Sequence, residues 1–396
     1  MSNGPSALSP QHREQLDALV AALRESLPTG DLPGFYRRFR ESDLPFVPVR
    51  GELDTGKLFR FCYEVLHRLG SVSPAVALAV ENHYYVTSAL ATFPAGGDPV
   101  LDARRDALLE SVRDNRWLVA NTNSKVHGNK LGAVGTYAKP MPDGFAVNGS
   151  AAYTSLATEG DLLVFITQIL DQGPGVFAIA PMQDNPAIEI GPYLFPSAML
   201  DSDTRRITFH DLELPADSQL IDPANSHAEL LFAFEMAWHQ LLIPALYLGG
   251  AAGALEEVRT FLRDTQGRDG KPLAELDGMV IDIGRLAIDY RSACQVLQRA
   301  GERLAEVRRI PEDADLLAAA SAEAGVAKYV GTRRAEEVVT VARRIVGART
   351  FTGGHLLERL SQEIMFGPLG PEVSAVIERR LGTRALDDQS FLNPWW

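Results

Sequence analysis

The chain has 396 residues, 46% of them hydrophobic and 22% charged, a composition typical of soluble globular proteins. At about 150 residues per domain, this length predicts two or three domains. Acidic residues exceed basic ones by 51 to 38, and the net charge of −13 argues against a nucleic-acid partner, since phosphate binding needs a cationic surface. The sequence contains no apolar run of about 18 residues and no secretory signal at its start, so we expect a cytoplasmic location without a membrane partner.

The hydrophobic pattern divides the chain into a helical, a β and a second helical part. Apolar residues recur at three and four residues up to about Pro94, as in Leu58, Cys62 and Leu66. Short β-branched or alternating runs follow from Trp117 to about Pro215. After Pro223 the helical period returns, and the predicted breaks are at 267–272, at Pro311 and at Gly353–Gly354. The predicted domains are 1–116 (helical), 117–222 (β), 223–381 (helical) and a tail, 382–396.

The tail and the cysteines give weaker signals. The tail ends in Asn393-Pro394-Trp395-Trp396 and is predicted to pack as a non-helical strap. Cys62 and Cys294 lie far apart, without the spacing of a zinc site or of a disulfide framework. We interpret both as core thiols and expect no metal.

Four stretches carry a resemblance to a known family: Arg206–Ala216 (RITFHDLELPA), Gly144–Gly149 (GFAVNG), Tyr153–Ser155 (YTS) and Leu248–Leu255 (LGGAAGAL). In this order they resemble the acyl-CoA dehydrogenase superfamily, over nearly the whole chain. The resemblance implies a mostly helical α+β fold with an N-terminal helical domain, a middle β-barrel-like domain and a C-terminal four-helix bundle. It also implies a bound flavin, FAD or alternatively FMN, between the β domain and the bundle.

The resemblance assigns flavin contacts to the ends of two predicted strands. Ser155 lies where the family places the donor to the flavin ring, and Tyr153 would cover the ring. Thr154 between them is a further flavin-binding candidate, and Thr122 would contact the pyrimidine side of the flavin. A reduced flavin accumulates negative charge, which fixed donors stabilise. The alternative is an ordinary strand whose hydroxyls are satisfied within the protein.

The segments that bind the adenine dinucleotide in the family differ here. They read QGRDGKP at 266–272 and RIVGART at 344–350. Arg268 and Arg344, with Gly347 beside them, could rebuild a pyrophosphate site, because guanidinium groups bind phosphate bidentately. Both arginines could equally be solvated charges.

The glutamate base of most family members is displaced. Its position falls on Gly367 or on Pro371 beside Glu372, depending on the alignment, so Glu372 is one candidate base. An alternative base position of the family falls on His239. Glu235, four residues earlier, would lie on the same helical face and orient the imidazole. A packing role for His239 is the alternative.

The PLGPE stretch at 368–372 also resembles the flavin monooxygenase branch of this fold. That branch often has a histidine near the end of this loop, and the residue at the corresponding position of this chain is Gly370. His83 and Tyr84 lie on the helix that faces the substrate in both branches. They would line the substrate site or simply pack in a polar pocket.

These observations predict an enzyme that dehydrogenates an acyl thioester carried on CoA or a carrier protein. The first alternative is a monooxygenase that uses reduced flavin and oxygen, and the second is a non-catalytic partner subunit. The expected partners are an electron-transfer protein or a flavin reductase. Small residues in 248–255 and the family pattern predict a homodimer or homotetramer.

Overall fold

The computed structural model describes residues 6–94, 98–122, 124–125, 135–222, 227–388 and 391, and it has the predicted order of helical, β and helical regions. The described residues of the first region form the helices α1 (Pro10–Thr29), α2 (Leu32–Glu41), α3 (Thr55–Gly70), α4 (Pro74–Thr92) and α5 (Pro99–Asn115). Side chains of Ser9, Asp54 and Ser73 accept hydrogen bonds from the first-turn N–H groups of α1, α3 and α4 and so fix where these helices start.

In the part of the middle region that the structure describes, nine strands form one sheet. Its strands are β1 (Val119–Thr122), β2 (Ser124–Lys125), β3 (Thr136–Met141), β4 (Gly144–Thr154), β5 (Leu162–Ile169), β6 (Gly173–Ile179), β7 (Ile188–Tyr193), β8 (Arg205–Pro215) and β9 (Gln219–Ile221). The main path is β7-β8-β4-β3-β5-β6-β9, while β1 pairs with β5 in parallel and β2 pairs with β4. The predicted GFAVNG segment is the second strand of the β3–β4 hairpin, and RITFHDLELPA lies in β8 and the turn after it.

The last region consists of α6 (Ala228–Asp264), α7 (Asp277–Leu304), α8 (Ala314–Val346), α9 (Leu356–Ile364) and α10 (Ser374–Asp387). By length and composition α6 could cross a membrane, but 78% of its most apolar window is buried inside the protein. Its apolar character follows from that position, since α3 and α4 pack on one side of it and α8 on another. The predicted fold is confirmed.

One boundary predicted from the sequence is wrong. The tail was expected to begin at Gly382 without helix, but α10 continues through Gly382 to Asp387. Helix-favouring residues such as Arg384 and Leu386 outweigh the single glycine. Trp395 and Trp396 lie outside the described residues. Both cysteines are free, with Cys62 buried and Cys294 partly exposed.

Candidate functional site

The site is built on α4, which lies between the sheet and α6. Nearly every side chain of α4 is buried, including the charged Glu81, which is 0% exposed. Glu81 and Tyr85 are four residues apart and therefore lie on one face of the helix. That face contacts α6.

Glu81 forms a buried ion pair with His239 of α6. Glu81 Oε1 lies 3.0 Å from His239 Nδ1. Burial by itself would lower the pKa of His239, but the Glu81 carboxylate raises it above its ordinary value. Burial raises the pKa of Glu81, and His239 partly offsets that rise. The two side chains therefore hold a proton between them at an otherwise apolar helix crossing.

The second nitrogen of His239 and the neighbouring Tyr85 connect this pair to the rest of the site. His239 Nε2 lies 3.2 Å from the carbonyl oxygen of Pro371. The Tyr85 ring centroid is 4.9 Å from that of His239, and its hydroxyl donates to Asn121 Oδ1 at 2.6 Å. Asn121 precedes Thr122 on β1. Through Tyr85, the Glu81–His239 pair therefore lies next to the strand that is predicted to contact the flavin.

Glu235 does not occupy the predicted orienting position. The carboxylate bonded to the His239 imidazole is Glu81, which the sequence analysis did not single out. Glu235 instead lines an aliphatic cavity between α4, α6 and the sheet. Sequence spacing indicates only neighbours on the same helix, whereas Glu81 is 158 residues away along the chain.

Glu372 is engaged by two side chains. Its carboxylate accepts from Gln240 Nε2 at 2.9 Å and from Arg380 Nη2 at 2.8 Å. The buried Lys328 donates to the carbonyl oxygens of Gly370 and Glu372 at 3.1 and 2.8 Å. These contacts fix the loop after α9 and hold the Glu372 carboxylate against Gln240 and Arg380, and a role of Glu372 as base stays a prediction.

The other position considered for the family's base is Gly367. A Cβ atom there would lie 3.1 Å from atoms of both Thr332 and Tyr247. A larger side chain would require these neighbours to shift. No side chain projects from position 367, and the group that lies opposite Nε2 of His239 is the backbone carbonyl of Pro371.

His83 and Tyr84, predicted to line the substrate site or to pack in a polar pocket, both bond to backbone groups inside the protein. His83 Nε2 donates to the Pro45 carbonyl at 2.7 Å, and its Nδ1 accepts from the Val119 N–H at 3.0 Å. Burial lowers the pKa of His83 to about 4. The Tyr84 hydroxyl donates to the Leu44 carbonyl at 3.0 Å. Both side chains are fully buried and connect α4 to its flanking loop and to β1.

The end of β4 has the features expected of a site for a planar ring. Tyr153 has a φ of 63°, and its half-exposed ring stacks on Phe195 at a centroid distance of 5.8 Å. Phe195 in turn contacts Phe366 of the loop after α9 at 4.7 Å. An aromatic run thus joins the sheet to the bundle.

Polar side chains at the ends of β4 and β1 complete this site. Thr154 Oγ1 is buried and has no hydrogen-bond partner in the described part of the chain. Ser155 Oγ lies 2.8 Å from Thr204 Oγ1, and Thr122 Oγ1 donates to the Ala152 carbonyl at 3.4 Å. A buried hydroxyl without a partner beside an exposed aromatic ring fits a flavin. Asn123, which follows Thr122, lies outside the described residues.

Arg268 and Arg344 are exposed on the bundle, in the turn after α6 and in the last turn of α8. Gly347, at the end of α8, has a φ of 75°, a backbone conformation that favours glycine. Among the described residues, no hydrogen bond, ion pair or ring contact joins Arg268 or Arg344 to Thr122 or Tyr153. Their phosphate-binding role stays a prediction.

The buried Glu363 of α9 anchors the start of α4 and makes stability depend on pH. Its carboxylate accepts from Ser73 Oγ and from the Ala75 N–H, both at 2.9 Å. Burial raises the pKa of Glu363 from 4.5 to about 8. The unfolded chain therefore loses this proton near pH 4.5 and the folded chain near pH 8, so the stabilisation is complete below pH 4.5 and lost as the pH rises to about 8.

We expect Glu363→Gln to remove this dependence. Between pH 5 and pH 8, the free energy of unfolding of the variant should rise relative to wild type by roughly 3 kcal/mol. Urea unfolding at the two pH values measures the change. Glu358→Gln, on the same helix but partly exposed, is the matched control and should not show it. A difference between Glu363→Gln and wild type that is independent of pH would contradict the expectation.

Comparison with known proteins finds similarity to acyl-CoA dehydrogenases and to flavin monooxygenases. Residues 234–370 match the family model of the acyl-CoA dehydrogenase C-terminal domain. The "Putative acyl-CoA dehydrogenase YdbM" of Bacillus subtilis (strain 168) is 27% identical over 274 residues, 68% of this chain and 66% of the relative. Isobutylamine N-hydroxylase of Streptomyces viridifaciens is 24% identical over 198 residues, 49% of this chain and 52% of the relative. The matches thus span between about half and two thirds of these curated relatives.

A solved structure agrees with these matches. TdsC from Paenibacillus sp. A11-2, in complex with FMN and indole, has a TM-score of 0.77 at 19% identity, covering 94% of this chain and 96% of that one. This likeness establishes the fold, which is that of the acyl-CoA dehydrogenases. The predicted resemblance to the acyl-CoA dehydrogenase superfamily is confirmed by these matches.

Proposed function

We propose that this protein is a flavin-dependent monooxygenase that uses reduced flavin and molecular oxygen. The observation that carries the proposal is the loop after α9, which presents the Pro371 carbonyl to His239 and ties Glu372 to Arg380. A loop of this kind does not provide the carboxylate base that thioester dehydrogenation uses in most of the family. One relative is named as an N-hydroxylase and TdsC as a dibenzothiophene monooxygenase, which supports the same branch.

Tyr153, Thr154, Ser155 and Thr122 would hold the flavin, FAD or FMN, at the junction of sheet and bundle. The flavin would supply the electrons and the activation of oxygen. His239, with its raised pKa, would keep a proton at Nε2 and release it to a developing negative charge on the substrate side. Glu81 would hold the imidazole in position and balance its charge. Pro371 would act as the acceptor that aligns Nε2 in the resting protein.

Dehydrogenation of an acyl thioester is the second candidate. It is favoured by the position of His239, which matches an alternative base site in the resembling family and has a carboxylate partner 3.0 Å away. In that reaction neutral His239 would accept the α proton at Nε2. The partner would then be an electron-transfer protein instead of a flavin reductase.

One set of assays separates the candidates. The purified protein is loaded with FAD or FMN and given either oxidised flavin and substrate without oxygen, or reduced flavin and ¹⁸O₂. Transfer of ¹⁸O into product supports the monooxygenase. Anaerobic bleaching of oxidised flavin by an acyl thioester overturns that proposal in favour of dehydrogenation. Failure to bind either flavin overturns both in favour of a non-catalytic subunit.

We further propose that the protein forms a homo-oligomer through α7. Val280, Ile281 and Ile288 are 57%, 53% and 66% exposed on this helix, and 281 and 288 are seven residues apart, on one face. The double variant Ile281→Glu/Ile288→Glu should dissociate the oligomer, because two charges would be buried unpaired. Light scattering at micromolar concentration measures the mass. Leu386→Glu, on α10 and 90% exposed, is the control and should leave the mass unchanged.

A monomeric wild type, or a double variant with unchanged mass, would contradict the α7 interface.

A further inference from the structure

Three consecutive backbone carbonyls of the loop after α9 are each in contact with a lysine or histidine side chain. Nζ of Lys328, on α8, donates to the carbonyl oxygen of Gly370 at 3.1 Å and to that of Glu372 at 2.8 Å. The carbonyl oxygen between them, that of Pro371, lies 3.2 Å from Nε2 of His239. Lys328 therefore holds the loop on both sides of the carbonyl that faces the imidazole.

Packing alone does not account for a lysine at this place, because the Lys328 side chain is 0% exposed. Burial of an ammonium group costs free energy that its partners must compensate. Burial lowers the pKa of Lys328 to about 8, and the Glu372 carboxylate partly offsets this fall. An apolar side chain of similar volume would fill the same space without that cost. The hydrogen bonds to the loop are what the lysine adds.

Lys328 also acts on His239 through its charge. Burial lowers the pKa of His239, the Glu81 carboxylate raises it above its ordinary value, and the Lys328 ammonium group opposes that rise. The Pro371 carbonyl raises the pKa by less than Lys328 lowers it. The titratable and charged groups around the imidazole are Glu81 and Tyr85 of α4, Glu235 of α6, Lys328 of α8, Glu372 of the loop and Arg380 of α10.

We propose that Lys328 is the positioning residue of this site, which holds the loop so that the Pro371 carbonyl meets Nε2 of His239. Its ammonium group also makes the imidazole release a proton more readily. The inference rests on the proposed function in so far as the proton of His239 is used in turnover. The titration of His239 itself does not depend on the reaction.

The test replaces Lys328 by methionine, which removes the charge and the donors, and by glutamine, which removes the charge but keeps a donor. In Lys328→Met and Lys328→Gln the pKa of His239 should be higher than in wild type, because the opposing ammonium group is gone. NMR titration of the whole chain with ¹³C-labelled histidine measures the pKa. The signal that is missing in His239→Gln identifies His239.

Turnover against pH gives the second measurement. Lys328→Met should lower kcat by roughly tenfold or more with a nearly unchanged KM, because a displaced carbonyl misaligns the imidazole. Lys328→Gln should keep more of the wild-type kcat, since its amide still donates to the loop. In both variants the alkaline limb of the kcat profile should move to higher pH, because the imidazole stays protonated there.

Lys57→Met is the matched control, since Lys57 is a lysine of α3 with a 65% exposed side chain. It should change neither the His239 titration nor the kcat profile. If Lys328→Met does not fold, Lys328→Gln still tests the titration. An unchanged His239 titration in the folded variants overturns the inference even where stability falls, because Lys328 would then only anchor the loop. A wild-type kcat in Lys328→Met also overturns it.

The inference and the proposed function can fail separately. A shifted His239 titration in a protein that transfers no ¹⁸O supports the role of Lys328 and counts against the monooxygenase. Transfer of ¹⁸O at the wild-type rate by both Lys328 variants, with an unchanged His239 titration, supports the monooxygenase and overturns the role of Lys328.

Discussion

Replacing His239 by glutamine should lower turnover by about a hundredfold or more while leaving flavin affinity unchanged. His239 can hold or release a proton at the crossing of α4 and α6, and the Glu81 carboxylate 3.0 Å away raises its pKa. A glutamine amide can still donate to Glu81 but does not titrate. Turnover is measured with the substrate and flavin state that the ¹⁸O assay identifies, and flavin affinity by fluorescence quenching.

His210→Gln is the matched control for this experiment. His210 is an exposed histidine of β8 that also lies next to a glutamate, with its Nε2 2.9 Å from Glu189 Oε2. The same substitution there should leave turnover within twofold of wild type. If His239→Gln turns over at nearly the wild-type rate, proton transfer by this histidine is not part of the mechanism.

Replacing Gly249 by alanine should destabilise the fold by about 3 kcal/mol or more, because it places a methyl group inside a helix crossing. A Cβ at Gly249 of α6 would lie 2.2 Å from the His67 carbonyl oxygen of α3. The approach is reciprocal, since a Cβ at Gly70 of α3 would lie 2.1 Å from the Leu246 carbonyl oxygen. Backbone atoms cannot yield as a flexible side chain can, so the helices must separate.

Gly284→Ala on α7 is the control, because a Cβ there meets nothing within 4 Å. It should stabilise the protein slightly or leave it unchanged, since alanine favours helix over glycine by up to about 1 kcal/mol. Urea unfolding of both variants measures the difference. Similar midpoints for Gly249→Ala and wild type would show that the α3–α6 crossing can open without cost.

The sequence predicted the fold well because its signals are local. Hydrophobic periodicity marked α3 and α6, and the small residues of 248–255 lie at a close helix crossing through Gly249 and Gly253. The predicted end of the helical region at Gly382 was wrong, because one glycine in a helix costs only about 1 kcal/mol, which neighbouring residues and packing overcome.

The site was harder to predict, since its contacts are distant along the chain. His239 was found by counting from the small-residue segment, but its partner Glu81 belongs to another helix. A buried charge in an apolar helix such as α4 was the available signal for Glu81. The sequence left two roles open for His83, and only the structure shows that both of its ring nitrogens bond to backbone groups.

The length and burial of α6 have a consequence for how the protein unfolds. Its 37 residues span about 55 Å and touch every layer of the helical regions. Phe234 packs on Phe93 of the first region, His239 on Glu81, and Gly253 against the Ser71 backbone. The segment that matches the family's C-terminal domain begins inside this helix, at residue 234. A fragment cut there would expose the face that α3 and α4 cover, so we expect the first helical region and α6 to lose their structure together.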